Sequence, residues 1–239
     1  MGRLSPDPYS TLLVKRAKPD PVVYFDENNH EYWHVPDGTV VPKDPDRQWL
    51  LVHTRKLMGI SEAMRMVGMV DTSHYQAHHA QRGTYTHHAT ALHDQGLLDD
   101  STVDEVVEPY LDDYRHFLEA HTPVWSRIEC LLADDLSACA GTVDRIGKIT
   151  VAGETQQAIV DIKTGGAAPW HQVQLAGYNH LVCSWLARQG DTTTAHQLKR
   201  YGLYLRKGKG YTLTAYTDHH DQGVWTSALT LAHWIDQCR

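Results

Sequence analysis

The feature that most constrains this chain is a change of period near residue 124. Just before it, over 109–120, apolar residues recur at helical spacing. After it, residues 125–131, 140–150 (AGTVDRIGKIT) and 158–164 (AIVDIKT) alternate as strands do. The last two are joined by a turn around Gly153, and each carries an acid inside an apolar run: Asp144 and Asp161. A chain with such strands between helical segments folds as a mixed α/β or α+β domain with helices packed on a sheet.

The flanking segments fill in that picture. Residues 1–22, with Pro6, Pro8, Pro19 and Pro21, read as an extended arm. A strand pair follows from Val22, turning at Glu27-Asn28-Asn29, with a further turn at Asp37-Gly38 and a polar loop over 42–47. A short helix is expected near Ser61, and a longer one over 73–94 with Ser73 as its N-cap. On the longer helix Ala80, Gly83, Thr84, His87, Ala91 and Asp94 share a face of mostly small residues, which would bring His87 against the sheet. Helices over 109–120 and 170–188, a hairpin of 199–206 with 211–216 around Lys207-Gly208-Lys209-Gly210, and an amphipathic helix over 222–237 complete the chain. The expected division is an arm, 1–22, and one domain, 23–239. That domain comprises an N-terminal hairpin and helix (23–72), a core (73–216) and a C-terminal helix (217–239).

At 239 residues with 41% hydrophobic and 21% charged residues, the chain can bury a core without disulfides or metals as staples, and disorder is excluded. No stretch reaches the length of a membrane span, and the first residues lack the apolar region of a signal peptide. Cys130, Cys139, Cys183 and Cys238 lie far apart with no CxxC pair, as in a reduced cytoplasmic protein. The net charge of −7 argues against a large non-specific DNA-binding surface but leaves room for a local basic groove.

On a strand, Asp161 and Lys163 share one face and Ile162 takes the other. Alone, Asp-x-Lys is more often the pattern of an exposed edge-strand ion pair. Asp144 changes the weighting, because the chain between it and Asp161 is long enough for two antiparallel strands and a turn. Two carboxylates at matching depth repel, and a hard divalent cation such as Mg²⁺ or Mn²⁺ relieves the repulsion. Glu129, on the preceding strand, is a third candidate acid, or else a partly exposed strand residue. Gln174 and Tyr178, at i and i+4, face the same way.

In order and spacing, Gly83-Thr84-x-x-His87, Glu129, Gly141-Thr142-Val143-Asp144, Ile159-Val160-Asp161-Ile162-Lys163-Thr164-Gly165 and Gln174-Leu175-Ala176-Gly177-Tyr178 resemble the PD-(D/E)xK nuclease superfamily. More narrowly they resemble its RecB-like exonuclease branch of phages and prophages. FDENNHEYWHVPDGTVVP (25–42) and GISEAMRMVGMVD (59–71) resemble the leader of those proteins, and the match runs over roughly residues 24–216.

The resemblance implies a restriction-endonuclease-like core, a central mixed β-sheet flanked by helices, and metal-dependent hydrolysis of DNA phosphodiesters in phage recombination or repair. It implies that Asp144, Asp161 and the Ile162 carbonyl bind Mg²⁺ or Mn²⁺, with His87, not its neighbour His88, completing the shell. Lys163 would orient the attacking water and offset charge on the phosphate. Gln174 and Tyr178 would orient the site and contact the DNA backbone, and Arg82 would touch phosphate. The partners implied are linear DNA ends or single strands and a recombination or single-strand-binding protein, in the host cytoplasm and away from membranes. The clustered cysteines of iron–sulfur relatives and the GxxxxGK[ST] phosphate loop of a helicase motor are both missing, so neither cluster nor ATP hydrolysis is expected. Two other readings stand beside this one. One is a catalytically inactive DNA-end-binding module on the same fold. The other is an all-helical HD-type phosphohydrolase built on His93-Asp94.

Overall fold

A thirteen-residue strand, β6 (Cys139–Val151), organises the protein, because different partners share its two edges. The structure is a computed structural model and describes residues 2–4, 22–70 and 77–239. Along one edge of β6 runs β5 (Val124–Asp134), antiparallel over nearly its whole length. The other edge is divided. β7 (Glu154–Lys163) pairs antiparallel from Val151↔Glu154 to Arg145↔Val160. β4 (Arg55–Gly59) pairs parallel at Met58↔Cys139 and Gly59↔Ala140. Between those two pairings the edge is forked, and Asp144 is the first residue in the fork.

The rest of the sheet extends outward on both sides. β1 (Gly2–Leu4), β2 (Val22–Asp26) and β3 (Glu31–Val35) precede β4, and β8 (Lys199–Leu205) and β9 (Tyr211–Ala215) follow β7. The described residues thus form a nine-stranded mixed sheet, with β7 and β8 parallel and β8 and β9 a hairpin. One face is covered by α2 (Ile60–Met66), α5 (Trp170–Arg188) and α7 (His220–Gln237), whose Ile60, Leu175, Leu181 and Trp225 join Val143 and Ile159 in the main core. α4 (Glu108–His121) covers the other face with Tyr110, Tyr114 and Phe117 against Val160, Ile162 and Leu203. Alternation along β7 is strict here: Ile159 lies in one core, Val160 and Ile162 in the other. α3 (Ala77–Asp94) packs beside α4 and β5.

The mixed α/β class and the helix-flanked sheet are as the sequence leads one to expect, and α5 has the expected limits. Val22 opens β2, where the strand pair is expected to begin, and Gly2 to Leu4 form an edge strand pairing with Asp26 to Tyr24; residues 5–21, most of the expected arm, and the expected N-cap Ser73 lie outside the described residues. Two points differ. Three short elements go beyond the expected set: α1 (Arg47–His53), capped by Asp46 through Trp49 N–H, β4, and α6 (Thr192–Gln197). On α3, Thr84 is exposed, and the buried stripe runs through Thr86 and Thr90 instead. The large sheet is incompatible with an all-helical HD fold, and Asp94 is ion-paired with Arg145. No helix among the described residues is long and apolar enough to cross a membrane.

Candidate active site

The fork between β6 and β7 is closed by a side chain instead of a ladder bond. Asp144, one residue beyond the last pair, accepts through Oδ2 the N–H of Ile162, two residues beyond it, at 2.7 Å. Asp144 and Asp161 are therefore held at matching depth on diverging strands. Gly141, on the same stretch of β6, makes room for the neighbouring helix. A Cβ there would stand 2.9 Å from Ile60 and 3.1 Å from Tyr178, so only glycine lets α2 and α5 pack this closely behind the acids.

His87 reaches into the fork from α3. Its Nδ1 lies 3.4 Å from Asp144 Oδ2 and 3.7 Å from Glu129 Oε1. One ligand atom from each of these three residues lies within 4.8 Å of the others, which is metal-site spacing. Burial alone would pull the His87 imidazole down, but Asp144 and Glu129 outweigh it and push its pKa up to about 10. Burial likewise works against ionised Asp144; the His87 charge, then Lys163 and the Ile162 N–H, outweigh it and hold this carboxyl below the usual range. His88 is exposed on the outer side of α3.

Asp161 is not one of the three converging ligands. Its Oδ2 pairs with Lys163 Nζ at 2.7 Å, the two side chains sharing one face of β7. Burial, reinforced by Asp144 and opposed by Lys163, moves the Asp161 pKa up to about 6. Ile162 buries its side chain under α4 and lends its N–H to Asp144. On α5, the Gln174 amide donates to Ser61 Oγ (3.1 Å) and Tyr178 OH (3.3 Å), while its Oε1 is buried with no partner among the described residues. Burial and then the two aspartates keep the Tyr178 phenol protonated. Arg82 donates to the Thr164 carbonyl at 3.2 Å and stacks over Tyr110 at 5.2 Å, at the far end of β7 from its turn.

Two features lie outside the residues that the sequence singles out. Arg145 is fully buried behind the three ligands. It binds Asp94 (2.6 Å), Glu129 (3.1 Å), the Asp144 carbonyl (2.8 Å) and Thr90 (3.1 Å), and Tyr114 OH donates to the same Asp94 oxygen at 2.6 Å. Its signal in the sequence is an arginine inside the apolar run of β6, matched by an acid on the inner face of α3. His171 is the second. Its Nδ1 accepts the Ala168 N–H (3.1 Å) and the Tyr204 OH (2.9 Å), fixing the loop that follows Lys163. Burial, then Lys163, push its pKa down to about 3, so it stays neutral.

No known family profile matches the sequence, and no curated protein does. Among solved structures, the chain is similar to the "Putative exonuclease" of Eubacterium rectale, with a TM-score of 0.40 and 11% identity over 74% of this chain and 77% of that one. A likeness at that level decides neither fold nor activity, and what the site can do follows from its own geometry.

Proposed function

We propose that the protein is a divalent-metal-dependent phosphodiesterase acting on DNA, an exonuclease of the PD-(D/E)xK type with RecB-like features. The observation that carries this reading is the convergence of His87, Glu129 and Asp144 within 4.8 Å, beside the Asp161–Lys163 pair. The buried Asp144 and the half-buried Glu129 face one another, and beside Arg145, which binds Glu129, a protonated His87 supplies the cation between them in the metal-free protein. One imidazole and two carboxylates suit Mg²⁺ or Mn²⁺ better than the soft-ligand metals. The unpartnered Gln174 Oε1 leaves an acceptor for a water or a substrate donor.

His87, Glu129 and Asp144 would hold the ion, with Asp161 and the Ile162 carbonyl as further ligands once Asp161 parts from Lys163. A metal there supplies Lewis-acid polarisation of the phosphate and acidification of a bound water. The chain's own residues do the rest. Lys163 lies where its ammonium can oppose the charge that builds on the phosphate. Gln174 and Tyr178, neutral and mutually hydrogen-bonded, line the approach, and Arg82 sits where the flanking phosphate would pass. Buried Arg145 and the loop held by His171 keep this set rigid.

The test is digestion of end-labelled linear and circular DNA with Mg²⁺ or Mn²⁺. Wild type should release nucleotides from linear DNA, and Asp144→Asn, though folded, should not. Metal-independent cleavage, or equal cleavage by Asp144→Asn, would remove the reading.

A further inference from the structure

A second feature lies at the same end of the sheet but outside the site. The hairpin joining β8 to β9, residues 206–210, is held from below by Asp113 of α4. This carboxylate is fully buried and accepts three backbone N–H groups from the tip: Arg206 at 2.7 Å, Gly208 at 3.0 Å and Gly210 at 2.8 Å. The Gly208 N–H also reaches the Pro109 carbonyl at 3.0 Å. Lys207, Gly208 and Gly210 all have left-handed backbones, with φ of 56°, 76° and 82°. A KGKG turn closes by itself, so an anchor from a helix far off in sequence serves to hold the tip in one place.

That tip carries the exposed cations Arg206, Lys207 and Lys209, none in an ion pair among the described residues. Its position follows from the register. β7 and β8 are parallel with Lys163 beside Tyr204, so the chain enters the tip two residues past the level of Lys163. Arg82 bridges the gap: it binds the Thr164 carbonyl and stacks on Tyr110, the neighbour of Pro109. Of the acids on this rim, Asp112 is paired with Arg115, and exposed Glu108, next to Pro109 under the tip, offsets part of the charge but is outnumbered by the three cations of the hairpin.

We propose that the β8–β9 tip is a docking site for the phosphate backbone of nucleic acid. It holds the strand whose end lies in the fork, and so rests on the phosphodiesterase reading for its orientation. In a chain of net charge −7, an isolated basic tip fixed at the Lys163 end concentrates attraction where the backbone leaves the site. Anchoring by Asp113 reduces the ordering that binding would otherwise demand of the loop.

The experiment measures binding of a fluorescein-labelled oligonucleotide, single-stranded and duplex, by anisotropy over a KCl series without divalent ion. It compares wild type, the double variant Lys207→Gln/Lys209→Gln, and Lys148→Gln. Lys148 is an exposed control paired with Gln157, roughly 20 Å back along β7 from Lys163 at about 3.3 Å per residue. The double variant should bind more weakly, and its slope of log K against log salt should be shallower by about 0.7 to 0.9 for each phosphate it no longer neutralises. The control should keep the wild-type slope. Wild-type slope in the double variant, or an equal weakening in Lys148→Gln, overturns the proposal.

Hydrolysis of bis(p-nitrophenyl) phosphate with Mn²⁺ is measured alongside and should be equal in wild type and the double variant. If wild type hydrolyses neither this ester nor DNA while the slope still changes, the tip stands as a nucleic-acid surface and the phosphodiesterase reading falls.

Discussion

Glu129 stands opposite Asp144 across the β5–β6 ladder, between the pairs Ile128↔Arg145 and Cys130↔Val143, and does so with a left-handed backbone at φ 48°. For a non-glycine residue inside a strand this conformation costs about 1–2 kcal/mol. Strain of that kind persists where the surrounding structure over-determines it, and here the carboxylate is held by Arg145 and faces His87. Glu129→Gly and Glu129→Ala should both weaken Mn²⁺ binding. The glycine variant should be the more stable of the two by about 1 kcal/mol, reversing the usual order of these residues. Urea midpoints decide it, and a more stable alanine variant would mean the backbone there is unstrained.

His87 links metal binding to protons. Its pKa is pushed up to about 10 in the folded, metal-free protein, against 6.5 unfolded. The stability this contributes is fully present below about pH 6.5 and is lost as pH rises through about 10. Metal-free wild type should therefore lose stability across that window, and His87→Gln should show a flatter profile. An ion must displace this proton, so Mn²⁺ binding near neutral pH should release about one proton in wild type and less in His87→Gln. Calorimetry in buffers of different ionisation enthalpy measures the difference, and equal release in both would show that His87 does not contact the ion.

What the sequence made legible followed from short-range rules. Alternation placed Asp161 and Lys163 on one face of β7, where they form an ion pair, and helical spacing turned His87 inward and His88 outward. The elements that escaped are those whose stability comes from distant partners. β4 begins with Arg55 and Lys56 and owes its strand to pairing with β3 and two residues of β6, which no local pattern encodes. Arg145 escaped for a related reason. Its four partners come from α3, β5 and β6, and only the folded chain shows that a charge inside an apolar strand is satisfied. The left-handed Glu129 leaves no trace in composition or period, because the strain is imposed by the ladder on either side.

The Arg145–Asp94 pair should behave as a buried ion pair with neighbours on both sides. Removing one partner strands the other, at a cost of about 3–5 kcal/mol. Asp94→Asn, which keeps an acceptor for Arg145 and Tyr114, should lose less than Arg145→Met, which strips the almost fully buried Asp94 of its cation and leaves it the Tyr114 hydroxyl. Denaturant titration gives both values. A change near zero for Arg145→Met would show that the network carries no stability and that Glu129 orients without it.

Lys163 tests the chemistry most directly. It shares the Asp161 face of β7, its ammonium 2.7 Å from Asp161 Oδ2 and 5.9 Å over the Trp170 ring, so it is positioned but not locked against a substrate phosphate. Its charge matters most when negative charge builds on the phosphate. Lys163→Ala should therefore lower single-turnover cleavage by about 10²–10³-fold, on the order of 3–4 kcal/mol. Mn²⁺ affinity should survive, since an ammonium is no ligand, and DNA affinity should change less than rate. Lys163→Arg should rescue poorly, because a planar fork does not replace a compact charge beside a buried carboxylate. Calorimetric Mn²⁺ titration beside quenched-flow cleavage of a labelled oligonucleotide separates the effects. Near-wild-type cleavage by Lys163→Ala would leave the Asp161–Lys163 pair a structural ion pair and remove the lysine from the reaction.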